Sequence, residues 1–265
     1  MFHIYLGRLI ARVIIFGLVV TLYIFHRQQL TDIMTQDFFR SLTPLHFLWA
    51  LLMLGMVIHL LPKFKITMSG LKSRPYTYKE PEDGYDKVQL FQYVQQMNIR
   101  AWRVLLIWVC FNAIFGILYL CDVIGAAELL ILTLFYFTCD LICMLVFCPF
   151  QKYIMGNRCC VNCRIFDWGH LMMYTPMLFI PSFFSWSLFF TSIVVALRWE
   201  LTYSRYPERF WRGSNATIRC ENCHDMTCRI KKPFITGIDK VTSAMPSPVD
   251  KLSSNAEELD KEFEE

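Results

Sequence analysis

Two cysteine pairs, Cys160-Val-Asn-Cys163 and Cys220-Glu-Asn-Cys223, carry the clearest chemical signal in the chain. A two-residue spacer lets both thiolates reach one metal ion while the intervening amides point toward the sulfurs. Two such knuckles complete a tetrahedral all-sulfur site. Cys148 and Cys159 flank the first pair and Cys228 follows the second. Arg158, Arg164, Arg219 and Arg229 stand beside them, favouring thiolate over thiol and offsetting the charge of four sulfurs. Zinc held by Cys160, Cys163, Cys220 and Cys223 is the simplest assignment. With Cys148, Cys159 and Cys228 as further ligands an iron–sulfur cluster is the alternative, although the sequential ferredoxin spacing is absent. The competing reading is a set of unligated or redox-labile thiols at a membrane surface. Cys110, Cys121, Cys139 and Cys143 fall in or near apolar blocks and read as small hydrophobes.

Four histidines form the second constellation. His46 and His59 share similar faces of one apolar block, about 20 Å apart at 1.5 Å per residue. Two stacked b-type haems in a membrane bundle need a comparable spacing, with His26 as partner for His46 and His170 for His59. Against haem, His26 and His170 sit at the ends of apolar blocks, where an interfacial histidine with water at hand is common. His224, beside Cys223, could replace a cysteine as ligand.

Asp140 lies inside an apolar block. An intramembrane carboxylate is costly and is a functional-site hypothesis by default, facing the bundle interior, with a structural role as the competing reading. Asn112 or an arginine such as Arg12 is its expected partner, and Cys143 shares its face one turn on.

The elements that must position these groups are apolar helices. Only 18% of the 265 residues are charged and 55% are apolar, where a soluble domain carries about a quarter charged. The apolar residues also gather in blocks long enough to cross a bilayer. That excludes a soluble enzyme as the starting point. No Gly-rich phosphate loop, G-x-S-x-G elbow or H-E-x-x-H motif assigns a reaction, and the basic residues flank membrane segments without forming a nucleic-acid stripe. Whether the chain is an enzyme stays open.

Spans are expected at Ile4–Phe25, Pro44–Leu61, Val104–Leu120 and Ala126–Phe147, the last two forming an antiparallel hairpin across Asp122–Gly125. No small-residue cleavage site follows the first block, so it reads as a retained helix. A short interfacial helix is expected within His26–Thr43. The segment from Val88 to Ile99 has helical spacing and either lies on the membrane or leads into the third span. Leu171–Leu197 is apolar but interrupted by Pro176 and Pro181, and reads as one kinked span, a re-entrant hairpin or two short helices.

Short basic loops favour the cytoplasm. Lys63–Arg103, Pro149–His170 and the segment from Arg198 to Lys232 are all basic, and all three share one side only if Leu171–Leu197 returns to the face it leaves. The expected architecture is therefore all-α: a polytopic integral membrane bundle of four spans plus a Pro-broken re-entrant hairpin or two further short spans. Residues 1–200 form the bundle with its cytosolic loop 63–103. Residues 201–235 form a basic cytosolic cysteine-containing segment, and 236–265 a disordered acidic tail. Both termini are expected in the cytosol of a multi-pass cell-membrane protein.

Two functions follow from the residues. In the first, structural zinc clamps the C-terminal segment to the inner loop while the bundle around Asp140 transports or binds a partner. In the second, an iron–sulfur cluster and b-type haem carry electrons. The expected partners are the bilayer, anionic headgroups meeting the aromatic and basic run Arg198–Arg212, and a protein partner, with no nucleic acid. The sequon Asn215-Ala-Thr217 is irrelevant if that segment is inside.

Overall fold

Helix α1 runs over Phe2–Thr35 and α2 over Pro44–Leu60, where a proline at the first helical position needs no backbone donor. In α3, Lys87–Leu120, the Asp86 side chain accepts from the Val88 amide at 2.8 Å and caps the start. A tight turn, with Asp122 in the left-handed region at φ 55°, leads into α4, Ala126–Leu145. Aspartate tolerates that conformation better than most residues. A short helix α5, Gly169–Tyr174, passes directly into a 3₁₀ segment, Thr175–Phe179, and α6 follows over Phe183–Arg205. The computed structural model describes residues 2–35, 44–61, 75–157, 159 and 163–222. The fold is all-α, and four helical stretches are long and apolar enough to cross a membrane: Tyr5–Gln28, α3, α4 and α6.

These differ in detail from the sequence expectation. The first helix does not stop at Phe25 but breaks at His26 (φ −141°, ψ 47°) and resumes to Thr35. The second apolar helix, His46–Leu60, is shorter than the four. The third span and the amphipathic run before it are one uninterrupted helix of 34 residues, about 50 Å long.

The Pro-interrupted region resolves into a broken strand of short helices going one way and a full helix returning. His59, in the last turn of α2, touches His170 at the start of α5, whereas His46 and Trp49, in its first turns, touch Phe184 and Ser187 at the start of α6. Residues 169–182 therefore run the length of α2, and α6 runs back. Prolines explain the asymmetry. Pro176 starts the 3₁₀ segment and Pro181 ends it, so no continuous helix can form before Ser182. Freed backbone groups find partners within the segment and on α6. Ile180 N–H donates to Met177 O at 3.3 Å, and the Trp186 indole donates to Leu178 O at 3.1 Å. Gly116 of α3 makes room for this segment, since a Cβ there would lie 2.3 Å from the Phe179 ring.

At the end where α2 and α4 stop and α3 begins, the connecting segments build one packed cap. Met97, Ala101 and Val104 of α3 share a buried cluster with Met155, Cys163, Ile165, Trp168, Trp199, Tyr203 and Phe210. Arg100 donates to Met155 O at 2.7 Å, passing close to Gly156, whose φ of 61° suits glycine. The Ala216 amide donates to Lys79 O at 2.8 Å. The described parts of all three basic segments therefore lie on one face, as their charge pattern anticipates. The start of α1 joins them, through Tyr5 packed against Cys159 and Ile218. Asn215 of the sequon is fully buried here; its Nδ2 donates to Arg209 O at 2.8 Å and its Oδ1 accepts from Thr217. It is a structural residue.

Candidate functional site

Helix α1 touches the rest of the bundle chiefly along α4, and no residue of its apolar window is buried. What fixes it there is polar. Arg12 Nη1 donates to Asp140 Oδ2 at 3.0 Å and to Phe137 O at 2.5 Å, with its guanidinium 3.9 Å from the Phe137 ring centroid. About three helix turns of largely apolar surface separate this pair from a second. Tyr23 and Arg27 both donate to Glu128 Oε1, at 2.6 and 2.5 Å, while Glu128 Oε2 accepts from the Gly125 amide. Rising along α1 means descending along α4, so the helices are antiparallel and clasped near each end. Of the two partners anticipated for Asp140, Arg12 is the one found. Asn112 instead donates to Trp108 O at 2.9 Å and accepts from Tyr136 at 3.3 Å.

Asp140 also meets the broken crossing. Its Oδ1 faces Gly169, where a Cβ would come within 2.9 Å, so a side chain there would have to displace the carboxylate. The next residue is His170. Its Nδ1 is buried, with no hydrogen-bond partner among the described residues. The His59 ring lies edge-on against it, centroids 4.9 Å apart. Four groups from four elements thus converge: Arg12, Asp140, His170 and His59. They sit near the cap end, since Asp140 is five residues from the end of α4 and His59 is in the last turn of α2.

Of the histidines proposed as haem ligands, the structure brings His59 and His170 together in direct ring contact. His26 occupies the break in α1 and is exposed, and His46 packs edge-on against Phe184, centroids 4.9 Å apart.

Cys159 and Cys163 are both buried in the cap. Asn157 Oδ1 accepts from the Cys159 amide at 3.0 Å, turning the chain at the head of the first knuckle. Cys148 shares a hydrogen bond with Cys143 of α4. Cys160, Cys223, Cys228 and His224, the Cys220 side chain and the 236–265 tail lie outside the described residues. Among the described residues, no three His, Cys, Asp or Glu side chains are grouped to hold a metal.

A further polar centre was not anticipated. The Arg164 guanidinium is nearly buried and forms a two-pronged pair with Glu200, which also accepts from the Trp168 indole at 2.7 Å. The Trp199 indole donates to Arg164 O at 2.8 Å, and the guanidinium lies 3.6 Å from the Tyr203 ring centroid. The signal in the sequence was Glu200, a lone acid among arginines at the end of an apolar block.

No family model, no curated protein and no solved structure matches the chain. The functional reading therefore rests on its own residues.

Proposed function

We propose that this chain is a multi-pass membrane protein of the cell membrane, with both termini cytosolic. In this reading a cysteine-ligated structural zinc clamps the basic C-terminal segment to the loop after α4, and the bundle around Asp140 performs transport or binds a partner. The observation that carries the clamp is the burial of Cys159 against Ile218, two residues before Cys220. That contact brings the chain leading to the second knuckle beside the head of the first. Arg164, next to Cys163, is held by Glu200, Trp168 and Trp199, which supports a fixed position for that thiol. Zinc fits because thiolate-only ligation in a closed site suits a structural ion. Arg198, Arg205, Arg209 and Arg212, interleaved with Tyr206 and Trp211, would meet anionic headgroups at that surface.

Elemental analysis of the purified full-length protein, beside Cys160→Ser and Cys220→Ser variants, tests the clamp. Stoichiometric zinc that both substitutions abolish is the expected result. Visible absorbance with iron and acid-labile sulfide would replace zinc by a cluster and favour electron transfer. Metal-free protein whose 205–232 segment resists protease equally with and without chelator would end the reading.

A further inference from the structure

We propose that the exposed apolar face at the start of α3 is a docking surface for the acidic segment 254–265 of this same chain, which lies outside the described residues. The inference goes beyond the reading of bundle and clamp and needs no metal at the cap.

Helix α3 is longer than a membrane requires. Its 34 residues extend about 50 Å, whereas about 20 residues cross the hydrocarbon core. Counted back from Leu120, the crossing ends near Trp102 and Arg103, an aromatic and basic couple suited to the headgroup level. Residues 87–100, with four glutamines and Asn98 among them, therefore stand beyond the membrane. Because the helix is uninterrupted, this half does not turn aside to lie on the bilayer.

That half has two apolar faces. Leu90, Met97 and Ala101 are buried, the last two in the cap. Val88, Phe91, Ile99 and Trp102 form a second stripe, about 140° further round the helix. They are 56–64% exposed, with Gln95 between them. An apolar stripe facing water marks a binding surface.

Reach, pattern and charge all point to the acidic segment as its occupant. The described chain leaves the cap after a stretch tied to α3 and its approach: the Ala216 amide donates to Lys79 O at 2.8 Å, and the Trp211 ring lies 6.0 Å from that of Tyr93. A coil as long as residues 223–253 reaches roughly 30 Å on average, and the protruding half of α3 is about 20 Å long. Ser254-Asn-Ala-Glu257 has the spacing of a capping box, and Ala256, Leu259 and Phe263 follow on one helical face. So short a helix is marginal alone and gains stability from an apolar partner surface.

Within α3 stand Lys87, Arg100 and Arg103 and no acid, whereas 254–265 holds six acids and one lysine. A parallel alignment brings Glu262, Glu264 and Glu265 toward Arg103 and away from Glu82, Asp83 and Asp86, which precede α3. A second copy in the same membrane would instead set Lys87 and Arg103 beside their own kind, which disfavours a pairing of two α3 helices.

The test is photo-cross-linking of the full-length protein in zwitterionic nanodiscs, with p-benzoylphenylalanine replacing Phe91 at its exposed position. Unlabelled and ¹⁵N-labelled protein are mixed before reconstitution, and cross-linked peptides are identified by mass spectrometry. The expected product is a same-label link from position 91 to residues 254–265. Leu259→Asp combined with Phe263→Asp should lower its yield about tenfold or more, since two apolar side chains no longer leave water. Mixed-label links would make the occupant a second copy, and links to lipid would place the stripe in the bilayer. A yield that the double substitution leaves in place would reduce the contact to tethering. Each of these, like the absence of any link, overturns the proposal.

Discussion

Arg164 and Arg12 each hold a carboxylate across a contact between elements, yet the two pairs are built differently. In the cap, Glu200 receives both prongs of the Arg164 fork and the Trp168 indole, and Trp199 anchors the Arg164 carbonyl. In the bundle, Arg12 offers a single nitrogen to one oxygen of Asp140 and shares it with a backbone carbonyl. The other Asp140 oxygen faces Gly169. A two-pronged pair with a third donor holds one geometry. A one-pronged pair leaves the second carboxylate oxygen outside the ion pair. The contrast separates a fully committed pair from a partly committed one.

The largest effect should come from breaking the fully committed pair. Arg164→Ala strips Glu200 of two donors and removes a nearly buried cation, and should cost about 3 kcal/mol, because Glu200 keeps some solvent contact. Thermal unfolding in detergent measures it, and a loss no larger than for a surface residue would erase the distinction. Next comes the bundle pair. Arg12→Leu and Asp140→Leu should each destabilise, while the double variant should recover about 1–2 kcal/mol of their sum, since each single change strands a charge in apolar surroundings. Strict additivity in that cycle would mean that the pair does not hold α1 to α4. Trp168→Phe sharpens the contrast further. Losing one hydrogen bond to a charged acceptor should cost about 1.5 kcal/mol in the same unfolding measurement. The smallest effect belongs to Arg27→Gln. Its side chain is 60% exposed and Tyr23 still serves Glu128, so the change should stay below about 1 kcal/mol. A larger loss would promote that clasp to an anchor equal to Arg12.

Much of this arrangement was readable in the residues because it depends on local pattern. The α3–α4 hairpin follows from two apolar blocks around Asp122–Gly125, and Pro176 and Pro181 do break the helix where they stand. The common face of the basic segments was legible from charge, and Arg12 was one of two partners named for Asp140. The level match of His59 with His170 was legible from span ends, but their contact with each other beside Asp140 was not. That contact depends on how far α2 and α5 rotate about their axes, which apolar blocks without a polar stripe leave open. His26 shows the same limit from the other side, since its place at a helix break depends on the backbone after it and not on its own chemistry.

By itself, the order of residues determined that this chain makes long apolar helices, where prolines interrupt them, and which thiols share a metal-ligand spacing. Those properties arise from neighbours within a few positions along the backbone. Only the tertiary structure decided that Arg12 reaches Asp140, that Gly169 admits His170 beside it, and that Arg164 closes on Glu200. Such contacts join elements far apart in the chain. They are chosen by close packing and by the need of every buried charge for a partner, and neither is written in any one segment.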